Sequence, residues 1–377
     1  LDFALTEEQE MLRKMARDFL TSRCPKKLVR ELEKDEKGYS EELWKEMAEL
    51  GWMGLALSEK YGGGGGSFLD LTVLLEEMGR ACLPGPFFAT AVLGAFAIQV
   101  AGSDGQKAEY LSKIGSGKLK ATLALSEATP TYEPATVATT ASVEGDSFVI
   151  NGTKLFVPDA HVADLIIVAA RTKKGTNKKE GISLFLVKAG TPGMQVTPLK
   201  TIAGDKQAEV VFNNVKVGKD SLLGDLDKGW TCLDTVLQYA AAGKCAEMVG
   251  GAQQVLEMTT TYAKERIQFD KPIGTLQAIQ HYCANMAMDI DGSRFIAYQA
   301  GWALSEGLSC AREVSIAKAF VSDGYRRCLM LAHQVHGAIG FTEDHDLPLY
   351  TRRAKAAELA FGDGDAHREM VAQAMGL

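Results

Sequence analysis

No stretch of this 377-residue chain approaches the roughly 20 consecutive apolar residues that a membrane-spanning helix needs. Its apolar runs, such as Ala91–Val100 and Leu165–Ala170, are far shorter, so no span is expected. A basic excess is missing as well: 41 Lys and Arg stand against 48 Asp and Glu, a formal charge of −7. That balance argues against nucleic acid as the main partner, because phosphate binding needs a basic face. Seven cysteines, at positions 24, 82, 232, 245, 283, 310 and 328, form no Cys-x-x-Cys and no Cys/His group at zinc spacing. Free thiols in a reducing compartment, most of them in the core, are the expectation, and no metal site is read. Neither Gly-x-Gly-x-x-Gly after a strand nor a Walker-type Gly-Lys-Ser/Thr occurs in a suitable context, so any nucleotide is held by another device. Thr6-Glu7-Glu8-Gln9 is a capping-box pattern that opens a helix rather than a secretory signal, which gives a cytoplasmic protein as the expectation.

What is present falls into three segments. From Thr6 to about Lys118 apolar residues recur at three- and four-residue spacing (Met11, Leu12, Met15, Phe19; Leu43, Met47, Leu50), a helical period. Gly62–Gly66 and Leu83-Pro84-Gly85-Pro86 interrupt it as loops, and the five glycines read as a flexible turn rather than a phosphate cradle. Short β-rich runs follow, at Ser147–Ile150, Leu165–Ala170, Gly181–Val187 and Glu209–Phe212, with Glu144-Gly145-Asp146 and Asn151-Gly152 as tight turns and Thr172–Glu180 as an exposed hairpin tip. After Gly229 the helical period returns with Trp230, Leu233, Val236, Leu237 and Ala240, then Val249, Ala252 and Leu256. Strands confined to the middle cannot form an alternating parallel sheet. The expected fold is therefore α+β, mostly α: an N-terminal helical domain (1–118), a central β-barrel or sandwich domain (119–227) and a C-terminal four-helix bundle (228–377).

Two motifs carry a resemblance. Arg266-Ile-Gln268-Phe269-Asp-Lys-Pro-Ile-Gly274-Thr-Leu-Gln277 and, further on, Gln334-Val-His-Gly337-Ala338-Ile-Gly340-Phe-Thr-Glu343 together resemble the two signatures of the acyl-CoA dehydrogenase family. Leu125-Ser126-Glu127, Asn151-Gly152-x-Lys154 and Leu222-Leu223-Gly224 extend the similarity over essentially the whole chain. The resemblance implies FAD as cofactor, lying between β-domain and C-terminal helices with its adenine-pyrophosphate end gripped by a neighbouring subunit. By that likeness Arg266, Gln268, Phe269, Gln277, Gln334, Gly337 and Ala338 form the gripping surface. Arginine is a permanent charge for a diphosphate, glutamine supplies amide donors, and glycine permits close backbone approach. Arg266 by itself would read as an exposed salt bridge.

The resemblance also implies contacts between the chain's own β-domain and flavin, through Leu125, Ser126, Phe156 and Val157. Here the likeness frays. Thr131-Tyr132-Glu133 replaces Gly-Ser-Asp, and Phe156-Val157-Pro158 replaces Trp-Ile-Thr, so the last residue has lost both hydroxyl and N–H. Phe156 reads equally as β-domain core. In the family a carboxylate removes the α-proton of an acyl-CoA thioester while the β-hydride goes to flavin, and that base must reach its proton. Its usual position is held by Phe361, and the alternative position used by some relatives is held by Ala240, followed by Ala241. Asp363 is the nearest carboxylate to the customary place and the candidate displaced base, with a cap or loop role as the other reading. The small residues Ala240–Gly243 read either as a widened pocket or as packing. Arg171, at a strand end outside the match, is expected to be indifferent to flavin.

Two functions remain open. One is a self-sufficient homo-oligomeric acyl-CoA dehydrogenase using a base such as Asp363 and passing electrons to electron-transfer flavoprotein. The other is a subunit of a heteromeric tetramer that completes the FAD site of a homologous dehydrogenase chain bearing the catalytic glutamate. The retained outward motifs and the eroded inward ones favour the second.

Overall fold

The structure, a computed structural model, describes residues 4–129, 131–173 and 178–377. Its helix starts follow capping chemistry written in the sequence. Thr6 and Gln9 exchange side-chain bonds at the start of α1 (Glu7–Arg23), and Ser67 with Asp70 does the same for α4 (Phe68–Ala81). Between them lie α2 (Lys26–Lys34) and α3 (Glu41–Glu49), the latter capped by Ser40. A π-helical turn at Ala89–Gly94 leads into α5 (Ala95–Ala101), and α6 (Asp104–Gly115) starts on a Ser103/Gln106 capping box. The buried stripe of α1 is Gln9, Ala16 and Leu20, whereas Met11 and Met15, which mark its helical period, are exposed. The apolar sector of α1 is wider than the face that docks on α4. Gly62–Gly66 is no flexible turn: its five amides donate to the carbonyls of Glu59, Ser58, Gly54, Leu57 and Leu55. A Cβ at Gly63 would sit 2.2 Å from Leu57 O, so the run is a close-packed crossing with no free N–H for a phosphate.

The middle strands are β1 (Ala121–Ala124), β2 (Thr140–Glu144), β3 (Ser147–Pro158), β4 (Leu165–Arg171), β5 (Ile182–Lys188), β6 (Met194–Leu199), β7 (Gln207–Gly218) and β8 (Leu222–Leu223). They run in the order β6-β7-β3-β2-β4-β5-β8, with β1 parallel to β4. No barrel closes. β2 and β4 share one residue pair, Thr140 with Arg171, and β6 and β8 remain at the ends of the path. The continuous apolar run in β4 is explained by burial on both faces. Leu165, Ile167 and Ala169 point into the helical core, while Ile166, Val168 and Ala170 meet Phe148, Phe185, Val210 and Phe212 inside the β-domain. Asn151-Gly152 is a bulge inside β3 rather than a turn, with Gly152 at φ +146° and the Asn151 side chain accepting from Asn214 N at 2.7 Å. The tip of the expected Thr172–Glu180 hairpin, 174–177, lies outside the described residues.

Three long helices, α7 (Gly229–Glu265), α8 (Gln277–Ser305) and α9 (Ala311–His336), pack against one another. The shorter α10 (Leu347–Leu359) and α11 (Gly364–Ala374) cover the remaining side of this bundle. The hairpin of β9 (Ile267–Gln268) and β10 (Lys271–Pro272) projects between α7 and α8. α4 joins the bundle by glycine contact: a Cβ at Gly79 would lie 2.0 Å from Glu247 O, and one at Gly250 1.7 Å from Glu76 O. Buried Glu76 accepts from Arg294 at 3.0 Å and from Tyr298 at 2.7 Å across the same seam. Among the described residues no helix is long and apolar enough to cross a membrane, and no cluster of His, Cys, Asp and Glu could hold a metal ion. Six of the seven thiols are buried; burial pushes Cys24 up to about 11 and Cys232, Cys245 and Cys328 up to about 12, which leaves them inert.

Candidate active site

The hairpin after α7 places the first motif in solvent. Arg266 ends α7, and Phe269 and Asp270 both take φ near +60° at the turn, leaving the Phe269 ring 83% exposed. Gln277 is the first residue of α8, and Gln334 lies in the last turn of α9, which Gly337 ends at φ +63°. A small apolar cluster of Ala263, Ile273 and Val335, with Leu276 and Ile279 against it, binds the hairpin base to the end of α9 and so joins the two motifs. Among the described residues Arg266 has no carboxylate within ion-pair distance, so it is not the exposed salt bridge it could have been. Gln268, Gln277 and Gln334 likewise spend no side-chain amide within the chain. Gln334, Gly337 and Ala338 line a groove of about 850 Å³ between α9, α10 and the Ile202 loop, together with Arg352 and Lys355. Arg266, Gln268, Phe269 and Gln277 lie outside its wall.

The inward residues are arranged differently. Leu125 and Ser126 follow β1, and Leu155 N donates to Ser126 O at 2.9 Å, which brings this segment beside Phe156. A buried ion pair fixes it: Lys154 Nζ donates to Leu125 O at 3.0 Å and to Glu127 Oε1 at 2.6 Å, while Glu127 also accepts from Ala138 N and Thr139 N. Burial lowers the Lys154 ammonium to about 8; burial also works to raise Glu127, but Lys154 and the Thr139 amide outweigh it and hold that carboxyl below its usual range. Both are therefore charged near neutrality. Phe156 sits at a bulge in β3 with φ +54° and is 53% exposed, which excludes the core reading. Val157 does have its side chain in the β-domain core, leaving only its backbone for a ligand. Pro158 O accepts from Thr122 Oγ1 at 2.6 Å.

At the expected place of the base, rings from all three parts of the chain meet. Phe361 stacks on Phe88 (centroids 5.8 Å apart, 23° between planes) and lies 5.7 Å from Tyr132. Lys244 Nζ stands 3.8 Å from the Phe88 centroid and pairs with Glu247 at 2.5 Å. Ala240, Ala241 and Ala242 are buried in α7, and a Cβ at Gly243 would approach Phe88 to 3.3 Å, so these small residues serve packing. The turn carrying Phe361 is held by two groups that sequence reading missed. Lys318, wholly buried, donates to Glu358 O and Gly362 O, each at 2.8 Å, and burial lowers it to about 8. His367 Nε2 donates to Phe361 O at 3.0 Å, and burial, with Lys318 nearby, lowers its imidazole to about 4. A signal for Lys318 existed: it shares a helix face with Val314, Ala317 and Val321, where an apolar residue is expected. Asp363 is the N-cap of α11, Oδ1 accepting from Ala366 N at 2.9 Å, which is the cap reading of that residue. Arg171 is less neutral than expected, since it donates to Val137 O and Pro134 O and so ties down the segment next to Tyr132.

The family descriptions match this chain in three consecutive pieces: the acyl-CoA dehydrogenase N-terminal domain over residues 6–118, the middle domain over 122–215 and the C-terminal domain over 227–376. The chain belongs to the acyl-CoA dehydrogenase family. Its members are FAD-dependent oxidoreductases. A probable acyl-CoA dehydrogenase of Bacillus subtilis, YngJ, is 34% identical over 99% of both chains. Butyryl-CoA dehydrogenase from Megasphaera elsdenii superimposes with a TM-score of 0.93 at 29% identity, covering 100% of each chain. A chain of the ChsE4–ChsE5 complex from Mycobacterium tuberculosis gives 0.90 at 27% identity, covering 100% of this chain and 99% of that one.

Proposed function

We propose that this chain is the base-lacking half of a two-chain acyl-CoA dehydrogenase, completing the FAD site of a homologous subunit that bears the catalytic glutamate. The observation that carries the reading is the unpaired state of Arg266, Gln268, Gln277 and Gln334 on the surface, set against the aromatic packing of Phe361 inside. Arg266 supplies charge for a diphosphate, the three glutamines supply amide donors, and Gly337 and Ala338 allow close backbone approach beside the groove. Leu125, Ser126, Phe156 and Val157 keep a partial seat for flavin on the chain's own side. FAD held there would supply the acceptor for the β-hydride of an acyl-CoA thioester, with electron-transfer flavoprotein as the onward electron carrier. The residues of this chain hold and orient; a proton acceptor is what it lacks, because Phe361 and Ala240 stand at both positions and Asp363 caps a helix. Similarity to a chain of the ChsE4–ChsE5 complex is consistent with a heteromer.

The test is flavin content by absorbance, for the chain purified alone and co-purified with a homologous dehydrogenase chain carrying the glutamate. Little FAD alone and one FAD per pair of unlike chains is the expected result. One FAD per subunit in the isolated chain would defeat the proposal.

A further inference from the structure

Three of the six histidines converge on one end of α9. His336 is stacked on Tyr262 of α7 (4.6 Å, 23°) and meets His345 edge-on at 4.8 Å; His333 is stacked on Phe341 at 4.3 Å. The hydrogen bonds assign the tautomers. His336 Nδ1 donates to Ala332 O at 2.8 Å, which leaves Nε2 a bare, buried lone pair. Thr351 spends its proton on Leu347 O, so its oxygen accepts from His333 Nε2 at 2.8 Å and His333 Nδ1 is the buried unpartnered atom. His345 Nδ1 accepts from Leu347 N at 3.1 Å. Each ring thus makes its contacts in the neutral form, and a second proton on His333 or His336 would meet no acceptor.

We infer that His333 and His336, the latter with His345 packed edge-on against it, form an acid-sensitive latch beneath the groove: neutral, they clamp the Gly337–Asp346 turn between α9 and α10, and charging either of the two lets that turn go. Among the described residues the surrounding elements set no free carboxylate against the rings: α7 brings the Tyr262 phenol, and α10 brings Thr351 and Glu358, which lines the same groove as His333 but is paired with Lys355. From α2, Arg30 donates to His345 O at 3.0 Å and is already paired with Asp346 at 2.7 Å. Glu343 and Asp344 are exposed on the turn itself, and no imidazole of the three lies within ion-pair distance of any carboxylate among the described residues. Burial lowers both His333 and His336, and the nearness of His345 lowers them further. The sign follows: the contribution of the latch is complete above the ordinary imidazole value of about 6.5 and is lost as pH falls below it toward the lowered values of the folded state. The latch concerns the turn itself and stands whether or not a second chain docks above it.

Hydrogen exchange of the full chain, corrected for intrinsic rates, tests it. Between pH about 7.5 and about 5.5 the amides of 339–346 should lose protection at least tenfold while those of 240–255 in α7 change little. His336→Phe keeps the stack on Tyr262 and carries no titrating proton, and should abolish most of that loss. If His336→Phe fails to fold, His345→Gln, which keeps an acceptor for Leu347 N, should reduce it instead. Unchanged protection in the wild type, or equal loss in the folded variant, would overturn the latch.

Discussion

Around Arg266 and Gln334 polar side chains stand in solvent without partners among the described residues, whereas around Phe361 the backbone carbonyls are tied to buried Lys318 and His367 and the side chain lies on two other rings. The two arrangements have different energetic meanings. A solvated guanidinium costs the folded chain almost nothing and keeps its donors for another molecule. Burying an ammonium with only carbonyl acceptors, as at Lys318, carries a desolvation cost that its hydrogen bonds must offset. The outer surface thus keeps its donors available to solvent or another molecule, and the inner one holds a fixed, filled geometry.

The strongest way to break this comparison is to measure flavin reduction by an acyl-CoA in rapid mixing. Loss of a general base removes about 10²–10⁴-fold in rate, so the isolated chain, reconstituted with FAD, should be slower than the two-chain complex by about that factor. Rapid reduction by the isolated chain would show that the inner site is competent after all. Asp363→Asn then separates the cases, because Asn caps a helix about as well as Asp and leaves the fold intact. We expect no change in rate in the complex.

A second experiment asks whether the inner seat still has its scaffold. Lys154→Met leaves the Glu127 carboxylate buried with only the Ala138 and Thr139 amides, and breaking such a pair costs about 3–5 kcal/mol. Urea unfolding should register that loss, and a change below about 1 kcal/mol would mean that the pair is not what holds Ser126 beside Phe156.

Acid loosens the Phe361 turn by a smaller amount. His367 is depressed to about 4 in the folded state, so the unfolded chain takes up the proton first. Its contribution is full above about 6.5 and is lost as pH falls from there to the folded value, a change of about 3 kcal/mol at most. Stability measured between pH about 7 and about 4 should fall less steeply in His367→Phe than in the wild type.

How much of this was legible beforehand depended on how local the cause was. The capping box at Thr6, the change from helical to β period and the cap reading of Asp363 are set by neighbours within a few residues, and sequence pattern reaches that far. Asn151-Gly152 misled because the same dipeptide serves a turn or a bulge, and pairing with Asn214 decides it. β2 escaped notice since Thr140, Ser142, Val143 and Glu144 are all exposed and no alternation shows. The ring cluster of Phe88, Tyr132 and Phe361 and the hold of Lys318 on Gly362 join residues far apart in the chain, so no local pattern carried them. The residues of the candidate outer surface, by contrast, could be named beforehand because they lie in two short motifs, and they are exposed.

The smallest expected effect bears on that outer surface. Arg266→Ala removes a charge that has no partner among the described residues, so the free subunit should keep its stability and its thermal midpoint. In the assembled two-chain complex the same change should weaken FAD retention by about 1.5–3 kcal/mol, the range for a hydrogen bond to a charged group. Arg171 is a poor control, because its bonds to Pro134 O and Val137 O tie down the segment next to Tyr132. Lys216→Ala is suitable: it is an exposed residue of β7, paired with exposed Glu144, and belongs to neither motif. Flavin dissociation from the complex, followed by fluorescence as free FAD appears, should quicken about tenfold or more for Arg266→Ala and stay unchanged for Lys216→Ala, in keeping with about 1.4 kcal/mol per decade. Equal retention in both variants would leave the exposed guanidinium without a role in cofactor binding, and the contrast between outer and inner surfaces would lose its functional meaning while the packing around Phe361 stood unaltered.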